Sequence, residues 1–447
     1  MSGRPRRSAR DVARAVLARV DQGGAYATLA LDGELARTDL DDRDRRLAAE
    51  LTYGTLRHRP RLERALASHA DLGRAPPAVR HALLVGAYQL MMLRTPAHAA
   101  VDDAVGAVRG RHGAKLAGFV NAVLRKLAQQ GEPPLPSEPR ARLAIEHSLP
   151  AWIVDELAAQ LHPDELPAAV AALAAPAPLW VRVNIARATV PEVVARLQGE
   201  GATVEPSRLM PTALQVRGLG DPAASPSFQA GLWTVQDLGA QLVGTLAAPR
   251  PGARVLDACA GLGGKTTHLA ELAAAAGAPA QVDAVDRAAA KLVLLESGAR
   301  RLGLSGIRTF TADLTAGPAK GLAAAYAVVL LDAPCSGLGV LRRHPEAKAR
   351  VTAADVAALA RTQAALLDAA AARVASGGVL VYAVCTFTRA EGADQLAAFL
   401  ARHADFTVEA PAGHAHVDET GAIRTWPHRD GADGFFAVRL RRAMLPA

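Results

Sequence analysis

The sequence predicts an α/β protein whose C-terminal half forms a Rossmann-like, doubly wound, mostly parallel sheet, preceded by an all-helical region and a small α+β module. Three observations lead to this prediction. Apolar residues recur at helical spacing over residues 8–130. Strand-like alternation begins at Leu179, and strands alternate with helices from Gly252 onward. A chain of 447 residues has room for two or three such domains.

Residues 1–130 are predicted to form a compact bundle of roughly five to seven helices. Helical spacing is clear in Val12, Val16 and Val20, and prolines and glycines punctuate the pattern. Six arginines of this region could form a basic face for RNA, or could be ordinary solvated residues of the helices. They are Arg57, Arg59, Arg61, Arg109, Arg111 and Arg125.

A proline-rich stretch follows the bundle. Residues 131–140 contain four prolines, which predicts a linker, and residues 131–177 are predicted to be this linker followed by helices. Residues 178–235 form a small α+β module with strands at Leu179–Asn184 and Ala213–Val216. The module could contact RNA on its own or pack as a lid on the domain behind it, and these interpretations are compatible.

Residues 236–447 are predicted to form the doubly wound domain, with a long helix over Ala353–Ala375. Ligands of such sheets bind at the carboxyl ends of the strands, so the residues that follow each strand are candidates for the site. The predicted strands are Val255–Leu256, Val282–Val285, Ile307–Phe310, Ala327–Leu331, Val379–Ala383, Thr407–Glu409 and Phe435–Leu440.

The composition indicates what kind of partner the protein binds and in which kind of compartment it works. Lys and Arg number 51 against 43 Asp and Glu, which suggests an anionic partner such as a nucleic acid or a membrane surface. Three cysteines without a C-x-x-C pair favour a reducing compartment over a disulfide framework. Neither a signal-peptide core nor a membrane-spanning run is evident, so we expect a soluble, cytoplasmic protein with no membrane association. Without Cys/His metal spacing, we expect no metal.

A glycine turn lies between the first strand of this domain and the following helix. It contains Gly261, Gly263 and Gly264, and glycines at such a turn let the backbone approach a ligand closely. The Walker A pattern fails at Cys259 and the dinucleotide pattern fails at Thr266.

The next strand ends in Asp286, an acid that suits a ribose diol. An adenosyl cofactor without a pyrophosphate needs this acid and the glycine turn but no phosphate cradle. S-adenosyl-L-methionine therefore fits best.

All three cysteines follow predicted strands, and so does a set of acids. The residues at these strand ends are Asp257, Cys259, Asp286, Asp313, Asp332, Cys335 and Cys385. Cys259 is expected to be a packed turn residue beneath the cofactor. Cys335 and Cys385 could each expose a thiol to the cleft, and the Lys265 cation on a neighbouring loop could lower a thiol pKa.

A thiol, an acid and an S-adenosylmethionine site together suggest methylation at carbon 5 of a pyrimidine. Thiolate addition at carbon 6, with a hydrogen bond or proton at N3, makes carbon 5 nucleophilic enough to accept a methyl group. Methylation of an exocyclic amine typically uses an [Asn/Asp]-Pro-Pro-aromatic loop, whereas this chain has Asp332-Ala-Pro-Cys335. Carbon methylation is therefore favoured, with either cysteine as a possible nucleophile.

Three segments carry a family resemblance: D-A-C-A-G-L-G-G-K-T, D-A-P-C-S-G-L-G-V-L-R-R-H-P-E and V-Y-A-V-C-T. They resemble the Sun/RsmB-type ribosomal RNA cytosine-5 methyltransferases, over nearly the whole chain. The resemblance implies a NusB-like RNA-binding domain over 1–130, in which F-V-N-A-V-L-R at 119–125 is similar to that family. It also implies the family's small module over 178–235 and a catalytic domain that binds S-adenosyl-L-methionine over 236–447.

The resemblance further implies roles for individual residues. Cys385 would be the nucleophile, Cys335 would help to release the product, and Asp332 would contact cytosine N3. Lys265 is placed with these catalytic residues because of its possible effect on a thiol. The residues implied in cofactor binding are Cys259, Ala260, Gly261, Leu262, Gly263, Gly264, Lys265, Asp286, Asp313 and Asp332. The chain departs from the family pattern at Gly261-Leu262, where Ala-Pro is common, and at Val384, where Thr is usual.

The expected function is methylation of a cytosine in small-subunit (16S) ribosomal RNA by a monomer. The alternatives are the same chemistry on tRNA, which the NusB-like domain disfavours, and a non-catalytic RNA-binding factor of ribosome assembly. The intact set of Asp332, Cys335 and Cys385 argues against the last of these.

Overall fold

The computed structural model describes residues 7–317, 319–411 and 416–444. Contacts between residues divide the chain into two compact units. The first is Met1–Ala175 with Leu341–Arg350, and the second is Pro176–Val340 with Val351–Ala447. In the described ranges no helix combines the length and the apolar character needed to cross a bilayer.

The first unit is helical, and its helices begin at sites that the sequence marks. Ser8 forms a capping box with Asp11, and Asp41 caps the third helix. Gly113, with φ of 80°, breaks the long fifth helix into two parts. The helices are α1 Ala9–Gly23, α2 Ala27–Leu35, α3 Asp42–Ala67, α4 Pro77–Met91, α5 Ala97–Gln130, α6 Pro139–Glu146, α7 Ala151–Ala158 and α8 Leu166–Ala174.

The structure changes the interpretation of the six arginines. Arg57 is buried, Arg59 pairs with Asp21 at 2.5 Å, and Arg61 pairs with Glu132. These three are therefore neither a free basic face nor ordinary solvated residues. The other three, Arg109, Arg111 and Arg125, are exposed.

The proline-rich stretch after α5 packs on α3. Arg64 donates hydrogen bonds to the carbonyl oxygens of Pro133 and Pro134, at 3.0 and 2.6 Å. Together with the Arg61–Glu132 pair, these bonds fix the first residues of the predicted linker to the helical unit.

Residues 341–350 return to this unit from far along the chain and bind backbone groups of three of its helices. Glu346 accepts a hydrogen bond from the Ala27 N–H at the start of α2, at 3.0 Å. Arg350 donates to the carbonyl of Val20 near the end of α1, at 2.8 Å. Buried Lys348 donates to the carbonyl of Arg57 on α3. Helix ends need such partners, and the sequence analysis did not predict this return.

The second unit begins with a four-stranded antiparallel sheet in the order β2-β3-β1-β4. Its strands are β1 Leu179–Val183, β2 Thr203–Pro206, β3 Ala213–Arg217 and β4 Trp233–Val235, with the helices α9 Val190–Gly199 and α10 Pro226–Gln229. The sequence predicted β1 and β3. It missed β2, which is largely exposed and lacks apolar alternation, and β4, which has only three residues.

The larger sheet has eight strands in the order β10-β12-β9-β8-β5-β6-β7, with β11 paired to β12. The strands β5 to β9 are parallel, and β10, β11 and β12 join antiparallel. The strands are β5 Arg254–Asp257, β6 Gln281–Asp286, β7 Ile307–Thr311, β8 Tyr326–Asp332, β9 Val374–Val384, β10 Phe406–Val408, β11 Ile423–Thr425 and β12 Phe435–Arg442.

Helices connect these strands: α11 Leu238–Ala247, α12 Gly264–Ala275, α13 Ala289–Leu302, α14 Ala353–Ala371, α15 Ala393–Arg402 and α16 Pro427–Asp430. Every strand predicted for this sheet is present. The helix predicted to reach Ala375 ends at Ala371 because β9 already begins at Val374. The chain order reverses between β8 and β6 around β5, which places a ligand crevice at their carboxyl ends.

Candidate active site

In the glycine turn after β5, one position, Gly263, tolerates only glycine. Gly263 has φ of 84°, and a Cβ there would lie 2.4 Å from Cγ of Leu295. Gly261 donates its N–H to Oδ2 of Asp286 at 2.9 Å. Apart from its two chain neighbours, none of the described residues has an atom within 4 Å of where a Cβ would stand on Gly261, so this side of the turn is open.

The other predicted cofactor residues lie around this turn. Asp286, at the end of β6, also accepts the Ala288 N–H at 2.8 Å. Asp313 caps its own turn through Thr315, and those hydrogen bonds hold its pKa below the ordinary value. The Ala260 N–H bonds to the Val285 carbonyl at 2.8 Å. Leu262 is 64% exposed.

Cys259 is half-buried in the same turn. Burial, followed by the charge of Asp257, raises the pKa of its thiol to about 12. It is therefore a protonated thiol at neutral pH. This environment suits the packed turn residue that the sequence analysis expected.

Lys265 and Asp332 form an ion pair at the edge of the sheet where the carboxyl ends of its parallel strands lie. Lys265 Nζ lies 2.7 Å from Asp332 Oδ2 and 5.2 Å from the ring centroid of Phe435. Burial alone would lower the pKa of Lys265, but the Asp332 carboxylate outweighs it and holds that pKa above the ordinary value. Because Lys265 directly follows Gly264, this pair connects the glycine turn to the end of β8.

Cys335 and Cys385 lie side by side. They follow the neighbouring parallel strands β8 and β9, in which Asp332 pairs with Ala383. Their sulfur atoms are 3.3 Å apart, and both cysteines are free thiols. The hydrogen bond with Cys385 and burial raise the pKa of Cys335 well above its ordinary value. Cys335 therefore keeps its proton at neutral pH.

A buried arginine of the small module fixes the helix that follows the glycine turn. Arg182 on β1 donates to both carboxylate oxygens of Glu271 on α12, at 2.8 and 2.7 Å. It also donates to the Gly264 carbonyl at 2.8 Å. The side chains of Arg182 and Glu271 are each 1% exposed. The small module is thus joined to the site through its core.

Three features of this region were not predicted from the sequence. They are the Phe435 ring beside Lys265, the Arg182–Glu271 pair, and the buried carboxylate of Glu391 behind the two cysteines. Arg182 between two valines of a strand, and Glu271 between two leucines of a helix, were the available signals for the pair.

The residues at this edge fit S-adenosylmethionine. The open face of the turn at Gly261 admits a ligand against the backbone, and the Asp286 carboxylate beside it suits a ribose diol. Asp313, which follows the neighbouring strand β7, adds a carboxylate near a ligand that carries a sulfonium and an ammonium group.

Three family models together match most of the chain. The model for the 16S rRNA methyltransferase RsmB/F matches residues 244–441. The NusB family model matches residues 7–129. The ferredoxin-like domain model of the RsmF/B-like methyltransferases matches residues 149–221.

Relatives extend over almost the full length. The chain is 34% identical to the probable ribosomal RNA small subunit methyltransferase B of Synechocystis sp., over 98% of this chain and 100% of that protein. It is 39% identical to ribosomal RNA small subunit methyltransferase B of Xylella fastidiosa, over 94% and 97%.

Among solved structures, the crystal structure of PH0851 covers 98% of this chain and 100% of its own, with a TM-score of 0.84 and 23% identity. The fold class and the family resemblance predicted from the sequence are confirmed. The chain belongs to the RsmB/F family of 16S rRNA methyltransferases.

Proposed function

We propose that this protein methylates carbon 5 of a cytosine in 16S ribosomal RNA through a covalent bond between Cys385 and the base. The observation that supports this chemistry is the placement of two free thiols, 3.3 Å apart, beside a Lys265–Asp332 ion pair at the edge that holds the glycine turn. Family membership makes the protein an RNA methyltransferase that depends on S-adenosylmethionine, as predicted.

The methyl donor would lie against the turn from Cys259 to Lys265, with its ribose on Asp286. Asp313 and Asp332 would complete the surroundings of the donor. When bound, S-adenosylmethionine supplies an electrophilic methyl group that carbon 5 accepts, with S-adenosylhomocysteine as the other product. The target cytosine has to leave any stack to reach Cys385, so a flipped or single-stranded base is expected.

The chain's own residues prepare carbon 5. The Cys385 thiolate forms a bond to carbon 6, and the electron pair displaced from the ring moves toward N3. A proton shared by Asp332 Oδ2 and Lys265 Nζ, 2.7 Å apart, is available for N3. The adduct is an enamine, in which carbon 5 is nucleophilic.

Release reverses these steps. After methylation, the proton on carbon 5 leaves to solvent, N3 returns its proton, and the bond between carbon 6 and the Cys385 sulfur breaks. Cys335 keeps its proton because its pKa is raised, and so can donate a hydrogen bond to the departing thiolate 3.3 Å away. The raised pKa of Cys335 supports Cys385 as the nucleophile, a choice that strand positions alone left open.

The experiment is transfer of radiolabelled methyl groups to 16S rRNA by the wild type and by two single-cysteine variants. Cys385→Ala is expected to abolish transfer while RNA binding persists. Cys335→Ala is expected to accumulate a protein–RNA adduct that survives denaturant. If Cys385→Ala accumulates the adduct instead, the two roles are exchanged.

The rival functions are separated by substrate. Methylation of tRNA but not of rRNA would favour the tRNA alternative, and RNA binding without any transfer would favour an assembly factor. We expect action on rRNA in the cytoplasm, by a monomer that needs no metal. Sedimentation and assays in a chelator check the last two expectations, and bisulfite sequencing of rRNA from a deletion strain identifies the nucleotide.

A further inference from the structure

We propose that Glu391 is a positioning residue for the two cysteines. It holds the Cys335 loop (residues 333–337) and the Cys385 loop (residues 385–392) so that the two sulfur atoms keep their reactive separation. This inference rests on the proposed function for its chemical meaning. Glu391 lies between β9 and α15 with none of its surface exposed. A carboxylate is costly to bury unless hydrogen-bond donors surround it.

Within the described part of the chain, the Glu391 carboxylate accepts four hydrogen bonds, and all four come from neutral donors. Oε1 accepts the Ser336 N–H at 2.7 Å and the Gln363 side-chain amide at 3.0 Å. Oε2 accepts the hydroxyl groups of Ser336 at 2.5 Å and of Thr388 at 2.8 Å. Hydrogen bonds to a charged acceptor are among the stronger ones in proteins.

These donors come from both cysteine loops. Ser336 directly follows Cys335, and Thr388 is on the loop that follows Cys385. One carboxylate therefore bridges the two loops, and a contact of 2.9 Å between the Ser336 and Thr386 hydroxyl oxygens adds a second bridge. A shift of Glu391 would move the Ser336 backbone and, with it, the neighbouring sulfur.

Glu391 is itself fixed from two sides. Tyr382 on β9 donates its hydroxyl to the Glu391 carbonyl at 2.6 Å. Gln363 on α14 also donates to the Pro334 carbonyl at 2.9 Å. The bridge is thus attached to a strand and a helix of the domain. A site supported in this way keeps its geometry more closely than one on free loops.

The charge of Glu391 has a second effect on the same pair. The hydrogen bond with Cys385, burial and then the charges of Cys385, Glu391 and Asp332 all raise the pKa of Cys335. Glu391 thus favours the protonated form of Cys335 as well as its position. A neutral side chain of the same shape would lose this effect and would place an amide N–H₂ among donors.

The test is Glu391→Gln, with Glu296→Gln as the matched control, since Glu296 is exposed and accepts one threonine hydroxyl in the same unit. The first readout is the rate at which diamide converts Cys335 and Cys385 into a disulfide in the RNA-free enzyme, followed by mass and corrected for the folded fraction. This rate is divided by the rate at which iodoacetamide labels the same two thiols, because a lower pKa of Cys335 in Glu391→Gln would by itself speed the oxidation. We expect this ratio to be about fivefold or more lower in Glu391→Gln. We also expect kcat for rRNA methylation to fall about tenfold or more, with KM within about twofold.

An unchanged ratio per folded molecule would overturn the proposal. A merely structural role would lower the folded fraction without altering that ratio. If Glu391→Gln does not fold, Ser336→Ala and Thr388→Val each remove one donor, and either one leaving both readouts at the wild-type level also overturns it. The disulfide readout needs no RNA, so failure of the proposed methylation is distinguishable from failure of this inference.

Discussion

Replacing Arg182 with methionine is expected to destabilise the second unit strongly. The side chain is buried and donates to Glu271, Thr267, Gln236 and the Gly264 carbonyl. Methionine can fill much of the space but leaves the Glu271 carboxylate buried without its cation. Breaking one side of a buried ion pair costs about 3–5 kcal/mol of the free energy of unfolding. We expect a loss in this range at pH 8.

The loss depends on pH in a defined direction. Burial already outweighs Arg182 and holds the pKa of Glu271 above its ordinary value, and removal of Arg182 raises that pKa further. Between the ordinary and the raised pKa, the folded variant binds a proton that the unfolded chain has released. Stability of the variant therefore falls as pH rises through this window, and the deficit at pH 5 is smaller than at pH 8.

Urea unfolding followed by tryptophan fluorescence measures the effect, because Trp180 and Trp233 lie in the small module. Arg217→Met is the matched control, since Arg217 on β3 pairs with Glu205 at an exposed site, where such pairs contribute about 0–1 kcal/mol. The double variant Arg182→Met/Glu271→Met is expected to recover most of the loss. A loss below about 1 kcal/mol for Arg182→Met at pH 8 would refute the reasoning.

Three further predictions concern other sites. In Gly263→Ala, the alanine would have to adopt the left-handed backbone of Gly263, and its Cβ would contact Leu295. We therefore expect a loss of about 1–3 kcal/mol in stability and weaker S-adenosylmethionine binding by calorimetry; unchanged affinity contradicts this. Cys259, with a pKa of about 12, should react with iodoacetamide at pH 8 about tenfold or more slowly than a cysteine peptide; equal labelling contradicts this. Burial and then Arg57 lower the pKa of Lys348 to about 7, so stability of the wild type rises from pH 7 to about 10.5. Lys348→Met should therefore stabilise the helical unit by about 4 kcal/mol at pH 7, at ~1.4 kcal/mol for each pH unit between 10.5 and about 7, with the gain vanishing above about pH 10; a gain independent of pH contradicts this.

The sequence predicted the elements that bury apolar side chains at a regular period. All seven strands predicted for the larger sheet exist. Five of them, β5, β6, β8, β9 and β12, are mostly buried, whereas β7 and β10 at the two ends of the strand order are more exposed. The missed strands β2, β4 and β11 are exposed or only three residues long, so their pairing depends on neighbours that no local pattern specifies.

Side-chain partners far apart in sequence were beyond such patterns. The return of residues 341–350 to the helical unit depends on backbone groups near Val20 and Ala27, more than 300 positions away. The predicted strands placed the two cysteines at the same carboxyl-end edge of the sheet. Their positions alone did not show which cysteine is the nucleophile. The raised pKa of Cys335 comes from its hydrogen bond with Cys385, from burial and then from nearby charges that include Glu391, and a local pattern reveals none of these.

The most direct test of the central claim is to identify the cysteine that bonds to the base. The adduct formed by Cys335→Ala with 16S rRNA would be digested with nuclease and trypsin, and the nucleotide-bearing peptide sequenced by mass spectrometry. The account predicts a cytidine attached to the sulfur of Cys385. A nucleotide on any other residue, or adduct formation by Cys385→Ala with the nucleotide on Cys335, would contradict it.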